Sequence, residues 1–82
     1  MGRPLASAFT ERRGLVASFD EGAGEGVVEE PDGQRWPFHC TRIADGSRTI
    51  AEQTEVSFLV APGPTGLEAQ AVAPVRPPER PV

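Results

Sequence analysis

His39 and Cys40 form the adjacent pair that most suggests chemistry, because an imidazole beside a thiol can act as base and nucleophile or as two metal ligands. The chain contains no other histidine or cysteine. Neighbouring residues of a strand also point to opposite faces. We therefore expect no catalytic residue, metal site, cofactor or enzyme activity, with His39 half-exposed and Cys40 a small, partly buried side chain.

Glycines at positions 22, 24 and 26 suggest a second kind of site, since a glycine-rich loop can bind phosphate groups through its backbone N–H groups. A loop of that kind follows a strand and opens a helix. Here the series links two short apolar runs, and no helical periodicity follows it. We interpret the glycines as a turn between two strands.

The charge of the chain disfavours a polyanionic partner. The formal net charge is −4 at pH 7, and all eight basic residues are arginines. Phosphate contacts made by cationic side chains supply nearly all of the sequence-independent affinity of proteins for nucleic acid. An acidic chain is therefore expected to have a low sequence-independent affinity for nucleic acid.

The elements that must position these residues are predicted to be short strands, because short apolar runs alternate with turn residues. Pro31-Asp32-Gly33 and residues 62–66 supply turns. Residues 41–54 hold few apolar side chains and are predicted to form a long structured loop, with one short helical turn near Thr41. The strands are expected at residues 15–19, 26–30, 35–39, 56–60 and 67–75.

Alternation within the strands predicts which side chains are buried. Trp36 and Phe38 should face inward, whereas Arg35, Pro37 and His39 should face outward. Pro37 has no N–H group to donate, so it requires a sheet edge or a bulge. The core is predicted to comprise Val16, Val27 or Val28, Trp36, Phe38, Ile43, Ile50, Val56, Phe58, Val60 and Leu67, with Ala69, Ala71 and Val72 packing where a barrel closes.

A chain of 82 residues has room for one compact core. We expect a flexible N-terminal arm at residues 1–12, a folded domain at residues 13–75 and a disordered tail at residues 76–82, because Pro74 and the prolines after it favour an extended conformation without a packed partner. No run approaches the roughly 20 apolar residues of a membrane helix, and no secretion signal is recognisable. We expect a soluble, cytoplasmic monomer.

Two sets of positions form a recognisable pattern. The first half contributes Gly14, Val16, Phe19, Gly24, Gly26, His39, Thr41 and Ile43, and the second half contributes Asp45-Gly46-Ser47-Arg48-Thr49-Ile50-Ala51-Glu52, Val56-Ser57-Phe58, Gly63, Gly66, Ala69 and Val72. Their spacing over residues 14–72 resembles that of a cold-shock domain. The resemblance implies an all-β fold, a five-stranded antiparallel barrel of the OB-fold type.

The resemblance also implies a function, because cold-shock domains bind single-stranded nucleic acid by stacking bases on aromatic side chains over a basic groove. Most of that aromatic surface is missing here, and each stacked base contributes roughly 1–3 kcal/mol. The family's first RNA-binding motif, lysine-glycine-phenylalanine-glycine-phenylalanine, is replaced by Ala23-Gly24-Glu25-Gly26-Val27, and Ser18, Pro37, Cys40 and Ser47 stand at further aromatic positions. The retained candidates are Phe19 and His39 for stacking, with Arg35, Arg42 and Arg48 for phosphate contacts.

Two functions from different classes are consistent with these residues. The first is weak, cofactor-free binding of single-stranded RNA or DNA. The alternative is a protein-interaction module, because the altered face now carries Glu25, Val27 and Pro37, and a carboxylate at its centre repels phosphates. Function resides in sites rather than in folds, so the resemblance alone does not choose between the two.

Overall fold

The fold consists of five strands joined in one antiparallel sheet. The computed structural model describes residues 11–75. Its elements are β1 (Arg12–Asp20), β2 (Glu25–Glu29), β3 (Arg35–His39), the 3₁₀ turn η1 (Cys40–Arg42), β4 (Glu55–Gly63) and β5 (Gly66–Pro74). Hydrogen-bonded neighbours follow the order β3-β2-β1-β4-β5. The all-β class and the five strands are confirmed, β3 has the predicted bounds, and η1 is the predicted helical turn.

The sheet curls so that its two outer strands approach each other. β3 contacts β5. Ile43, which follows η1, forms an isolated parallel bridge with Val72 of β5, and the N–H group of Ala44 donates to the carbonyl of Val72 at 2.7 Å. Within residues 11–75, the hydrogen-bonded order ends at β3 and at β5 without closing into a ring. Pro37 therefore lies on an outer strand, as its missing N–H group predicts.

β1 contains a bulge at Ala17. Val16 and Ser18 pair with consecutive residues of β2, so Ala17 is an extra residue without a partner there. The bulge reverses the alternation of faces along the strand. Val16 is fully buried before the bulge, whereas Phe19, and not Ser18, packs against the core after it. Because of this bulge, the ring of Phe19 reaches the site described below.

The core is a single cluster of buried apolar side chains with four half-buried ones around it. The buried members are Val16, Val28, Phe38, Cys40, Ile43, Val56, Phe58, Ala69 and Val72, and the half-buried members are Phe19, Trp36, Ile50 and Val60. Of the two valines of β2, Val28 is the core residue, and Val27 is half-buried. The sequence predicts Trp36, Ile50 and Val60 as core residues, but their side chains are only half-buried.

Two predicted core residues are on the surface. Leu67 is 54% exposed, because it pairs with Pro62 next to the β4–β5 turn, beyond the core. Ala71 is exposed and has a φ of 53°. It lies at a second bulge, where the pairing of β4 with β5 skips between Ser57 and Leu59, so its side chain leaves the inner face.

The ends of four strands differ from the sequence-based prediction, and β2 is shifted by one residue, to Glu25–Glu29. β1 begins at Arg12, the last residue of the predicted arm. The predicted turn at residues 62–66 is reduced to Pro64-Thr65, because β4 continues to Gly63 and β5 begins at Gly66. Pro74, one of the prolines expected to lack a packed partner, belongs to β5 and pairs with Val56 of β4. The rest of the predicted arm and the predicted tail lie outside the described residues.

Glu30 fixes the half-buried Trp36. The indole Nε1 donates to Glu30 Oε2 at 2.6 Å, and Arg12 Nη1 donates to the same oxygen at 2.8 Å. The guanidinium carbon of Arg12 lies 5.5 Å from the centroid of the indole ring. This group, the Glu30 clamp, joins the start of β1, the end of β2 and β3. The tryptophan can stay half-buried because its N–H group is satisfied.

Candidate nucleic-acid interface

A cleft of about 720 Å³ opens between β1–β3 and the β4–β5 turn. This volume lies within the range of roughly 300–1,000 Å³ that is usual for ligand sites. The cleft brings together three of the five predicted site residues, Phe19, His39 and Arg42. Its lining is completed by Ser18, Asp20, Glu25, Gly26, Val27, Pro37, Phe38, Thr41, Pro64, Thr65 and Glu68.

The strand register aligns outward-facing side chains in rows across β1, β2 and β3. One row consists of Ser18, Val27 and Pro37, and the next consists of Asp20, Glu25 and His39. All of them are exposed except Val27, which is half-buried. These two rows, the remodelled face, include positions where the sequence lacks the family's aromatic residues. The face now offers a small aliphatic strip beside two carboxylates.

Phe19 lies over a rigid aromatic base. Its ring stacks on that of Phe38, with the centroids 5.9 Å apart and the planes 21° from parallel. Phe38 is fully buried and therefore holds Phe19 in place. Gly26, which pairs with both phenylalanines, permits this arrangement, because a Cβ atom there would lie 2.7 Å from Phe38 Cζ. The half-buried ring of Phe19 keeps part of its surface available in the cleft.

His39 is held by the turn that follows it. Its Nδ1 atom accepts a hydrogen bond from the N–H group of Thr41 at 3.2 Å and lies 3.0 Å from Thr41 Oγ1, so the imidazole caps η1. An Nδ1 atom that accepts from an N–H group carries no proton, so the neutral ring has its proton on Nε2. The ring is exposed in the cleft, whereas the adjacent Cys40 is buried in the core. The imidazole is exposed and the thiol is buried, although Cys40 Sγ lies 3.9 Å from His39 Nδ1 across the start of η1.

The three predicted phosphate contacts have different surroundings. Arg42 lines the cleft. Arg35 lies outside it, in a neighbouring depression of about 530 Å³, and its Nη2 atom is 3.4 Å from Glu29 Oε1. Arg48 is exposed in the loop after η1, which is tied to the β1–β2 turn by a hydrogen bond of 2.9 Å from Thr49 Oγ1 to Glu21. Only Arg42 is brought together with the two aromatic candidates.

The same loop contains Asp45, whose carboxylate accepts a hydrogen bond from the N–H group of Ser47 at 2.9 Å. This hydrogen bond lowers the pKa of Asp45 below its ordinary value, because it favours the ionised form. The turn at Asp45-Gly46-Ser47 is therefore strongest at neutral pH. It fixes the part of the loop that carries Arg48.

The electrostatic balance inside the cleft is acidic. Asp20, Glu25 and Glu68 line it together with a single arginine, Arg42. Like charges near the phosphates of a ligand oppose binding, and water screens the exposed carboxylates only in part. The cleft therefore suits an uncharged base or a cation better than it suits a row of phosphates.

Glu68 is the member of the cleft that the sequence does not reveal. It is 8% exposed, the only charged residue buried among residues 11–75. The alternation of faces along a strand does not predict its burial, because the adjacent Ala69 is buried as well. The space for its carboxylate exists because Gly63 has no side chain, and that contact joins two strands. The burial of Glu68 becomes evident only once β4 and β5 are paired.

The described residues contain no group of three or more histidine, cysteine, aspartate or glutamate side chains able to hold a metal ion. Over the same residues, no helix is long and apolar enough to cross a membrane.

Comparisons with known proteins agree with the geometry. The chain is 32% identical over 69 residues to the cold shock-like protein CspD of Vibrio cholerae, covering 82% of this chain and 91% of that protein. It is 38% identical over 61 residues to the cold shock-like protein CspA of Stigmatella aurantiaca, covering 72% and 90%. No protein-family model matches the sequence.

Among solved structures, drosophila Unr CSD456 superimposes with a TM-score of 0.69 at 29% identity. The match covers 94% of this chain and 32% of the Unr chain, so this chain spans about a third of that structure. The two bacterial relatives, by contrast, are covered over nearly their whole length. The chain belongs to the cold-shock domain family.

Proposed function

We propose that this chain binds single-stranded RNA or DNA weakly through the cleft, without a cofactor and without catalysis. The observation that supports this function is the convergence of Phe19, His39 and Arg42 on one cleft of suitable size. A base can stack on the accessible surface of Phe19 or on the imidazole, while Arg42 contacts the backbone. Arg35 and Arg48 would add phosphate contacts outside the cleft. Membership of the cold-shock family supports the same ligand.

Weak affinity follows from what lines the remodelled face. Val27 and Pro37 have no aromatic ring to offer a base, and each missing stack removes roughly 1–3 kcal/mol of binding free energy. Glu25 and Asp20 repel the backbone of a ligand that lies along the face. We propose that the chain is a monomer and that it acts in the cytoplasm; the oligomeric state and the location both remain predictions.

A titration of labelled oligonucleotides tests the function. Fluorescence anisotropy is recorded for single-stranded DNA and RNA of about seven nucleotides at about 50 mM salt, a length within the usual site size. We expect saturation by tens of micromolar protein. The Arg42→Gln variant should bind several-fold more weakly, whereas Arg13→Gln makes the same charge change at an exposed position of β1 and should have a smaller effect. Absence of binding by tens of micromolar would rule the function out.

A second candidate function is docking to a protein. The observation that favours it is the excess of carboxylates over arginines in the cleft. A pull-down from the native lysate compares the wild type with Glu25→Arg. A nuclease-resistant partner that is lost on mutation would support docking, and recovery of nucleic acid alone would exclude it.

A further inference from the structure

The hydrogen bonds of His39 change when its ring takes up a proton. In the neutral ring, Nδ1 accepts from the N–H group of Thr41 at 3.2 Å, and the Thr41 hydroxyl oxygen lies 3.0 Å from the same atom. A protonated imidazole has a donor at both nitrogens and no acceptor. Protonation therefore breaks the bond from the Thr41 N–H group, and Nδ1–H donates to Thr41 Oγ1 instead. Thr41 holds the ring in both states.

The other ring nitrogen of His39 faces the β1–β2 turn. A Cβ atom at Gly24 would lie 3.9 Å from Nε2. The carbonyl of Gly24 accepts from the N–H group of Cys40 at 2.7 Å, which joins this turn to the end of β3. The ring nevertheless stays exposed in the cleft. A charge on the imidazole is therefore within reach of a ligand that occupies the cleft.

Charged groups surround His39 on every side of the cleft. Glu25 of β2 lies directly opposite His39 in the ladder, and Asp20 of β1 lies opposite Glu25. Side chains directly opposite each other in antiparallel strands have Cβ atoms about 4.5–5.5 Å apart. The remaining charged residues of the surrounding elements are Arg42 of η1, Glu68 of β5 and Glu21 of the β1–β2 turn. The carboxylates attract an imidazolium, and Arg42 repels it.

We propose that His39 is a pH-sensitive switch for the binding of single-stranded nucleic acid. The imidazolium adds a positive charge that contacts a backbone phosphate, whereas the neutral ring offers no charge to it. Histidine is the side chain that ordinarily changes charge between about pH 5 and pH 8. The chain has no other histidine, and this inference rests on the proposed function.

One added proton matters here because cations are scarce around the ligand. Arg42 is the one arginine among the residues that line the cleft. Arg35 lies outside the cleft and contacts Glu29, and Arg48 belongs to the loop after η1. A protonated His39 therefore doubles the number of cations inside the cleft, next to the ring of Phe19 on which a base can stack.

The experiment measures the binding of a labelled oligothymidylate of about seven nucleotides at about pH 8 and about pH 5.5. Thymine and the phosphodiester groups do not change charge between these pH values. We expect the wild type to bind about fivefold more tightly at the lower pH. The slope of log affinity against log salt concentration should become steeper by about 0.7, the value for one further phosphate contact. His39→Asn should bind equally at both pH values, within about twofold, and with an unchanged slope.

NMR of the free protein tests the geometry of the switch. The ¹⁵N resonances of the imidazole should show a proton on Nε2 alone at the higher pH and on both nitrogens at the lower pH. The amide resonance of Thr41 should move with the same midpoint, because its N–H group loses its acceptor.

Glu25→Gln and Glu29→Gln form a matched pair, because they make the same charge change in β2 inside and outside the cleft. Glu25→Gln removes the carboxylate opposite His39 and should move the midpoint of the imidazole titration to a pH lower by about 0.5. Glu29→Gln should leave the midpoint unchanged. Circular dichroism establishes that both variants fold.

Three results would overturn the switch, and they separate its failure from that of the proposed function. The same pH dependence of binding in the wild type and in His39→Asn removes the switch and leaves nucleic-acid binding intact. A Thr41 amide that does not follow the imidazole titration contradicts the exchange of hydrogen bonds. Absence of binding at both pH values removes the proposed function and the switch together.

Discussion

At the scale of the residue, His39 contributes in two ways that mutation can separate. Its Nδ1 atom caps η1 by accepting from Thr41, and its ring lies in the cleft beside Phe19. His39→Ala removes both contributions, whereas His39→Asn keeps a side chain that can accept at the cap and removes the ring.

We expect both variants to weaken oligonucleotide binding by about 1 kcal/mol, because each loses a stacking surface. Only His39→Ala should also lower the free energy of unfolding, by about 0.5–1 kcal/mol, the usual cost of a lost cap at a short turn. Anisotropy titrations and urea denaturation provide the two measurements. Unchanged binding in His39→Asn would exclude the ring from the site.

At the scale of the element, the Glu30 clamp joins three strands through one carboxylate oxygen. Glu30→Ala should lower the free energy of unfolding by about 1–2 kcal/mol, because Trp36 Nε1 loses its partner in a partly buried setting. Glu29→Ala is the control, since Glu29 only contacts the exposed Arg35 at 3.4 Å. Surface pairs of that kind contribute about 0–1 kcal/mol. Equal losses in the two variants, measured by urea denaturation, would contradict a structural role for the clamp.

The bulge in β5 places Ala71 in the left-handed region, with a φ of 53°. A residue with a Cβ atom is strained there, and glycine is not. Ala71→Gly should therefore raise the free energy of unfolding by about 0.5–1 kcal/mol. Ala73→Gly, two residues along the same strand at a position that pairs with Ser57, should lower it by a similar amount. Destabilisation by both glycines would show that Ala71 carries no strain in solution.

The two bulges also explain what the sequence can and cannot predict. β3 is found at its predicted bounds, because Trp36 and Phe38 alternate without interruption with the exposed positions at residues 35, 37 and 39. In β1 the extra residue Ala17 reverses the alternation, so a period of two does not identify the inner face. In β5 the second bulge turns Ala71 out of the core, where alternation alone predicts it. A bulge depends on the partner strand, which local sequence does not specify.

The candidate site is predictable to a similar extent. The family resemblance predicts Phe19, His39 and Arg42 as ligand contacts, and the fold brings them to one cleft. Arg35 and Arg48 lie outside it, because each belongs to a different surface once the strands pair. Sequence patterns do not identify Glu68, because its burial depends on the missing side chain of Gly63 across the hairpin. Local sequence patterns do not predict contacts between strands, and the burial of Glu68 depends on such a contact.

At the scale of the whole molecule, the number of phosphate contacts sets how binding responds to salt, and a chain with a net charge of −4 has few cationic side chains to make them. Single-stranded ligands release roughly 0.7 counterions per phosphate contact. With two or three arginines in contact, a plot of log affinity against log salt concentration should have a slope of about −1.4 to −2. A slope steeper than about −3 would require more phosphate contacts than Arg35, Arg42 and Arg48 supply. Anisotropy titrations at several salt concentrations measure it.

The central claim is that single-stranded nucleic acid binds in the cleft between β1–β3 and the β4–β5 turn. The most direct test is a ¹H–¹⁵N NMR titration of the chain with a short single-stranded RNA at low salt. We predict that the largest amide perturbations cluster on Phe19, Val27, His39, Thr41 and Arg42, which line the cleft, with smaller ones near Arg35 and Arg48. Perturbations confined to the opposite surface, or none at saturating RNA, would contradict the claim.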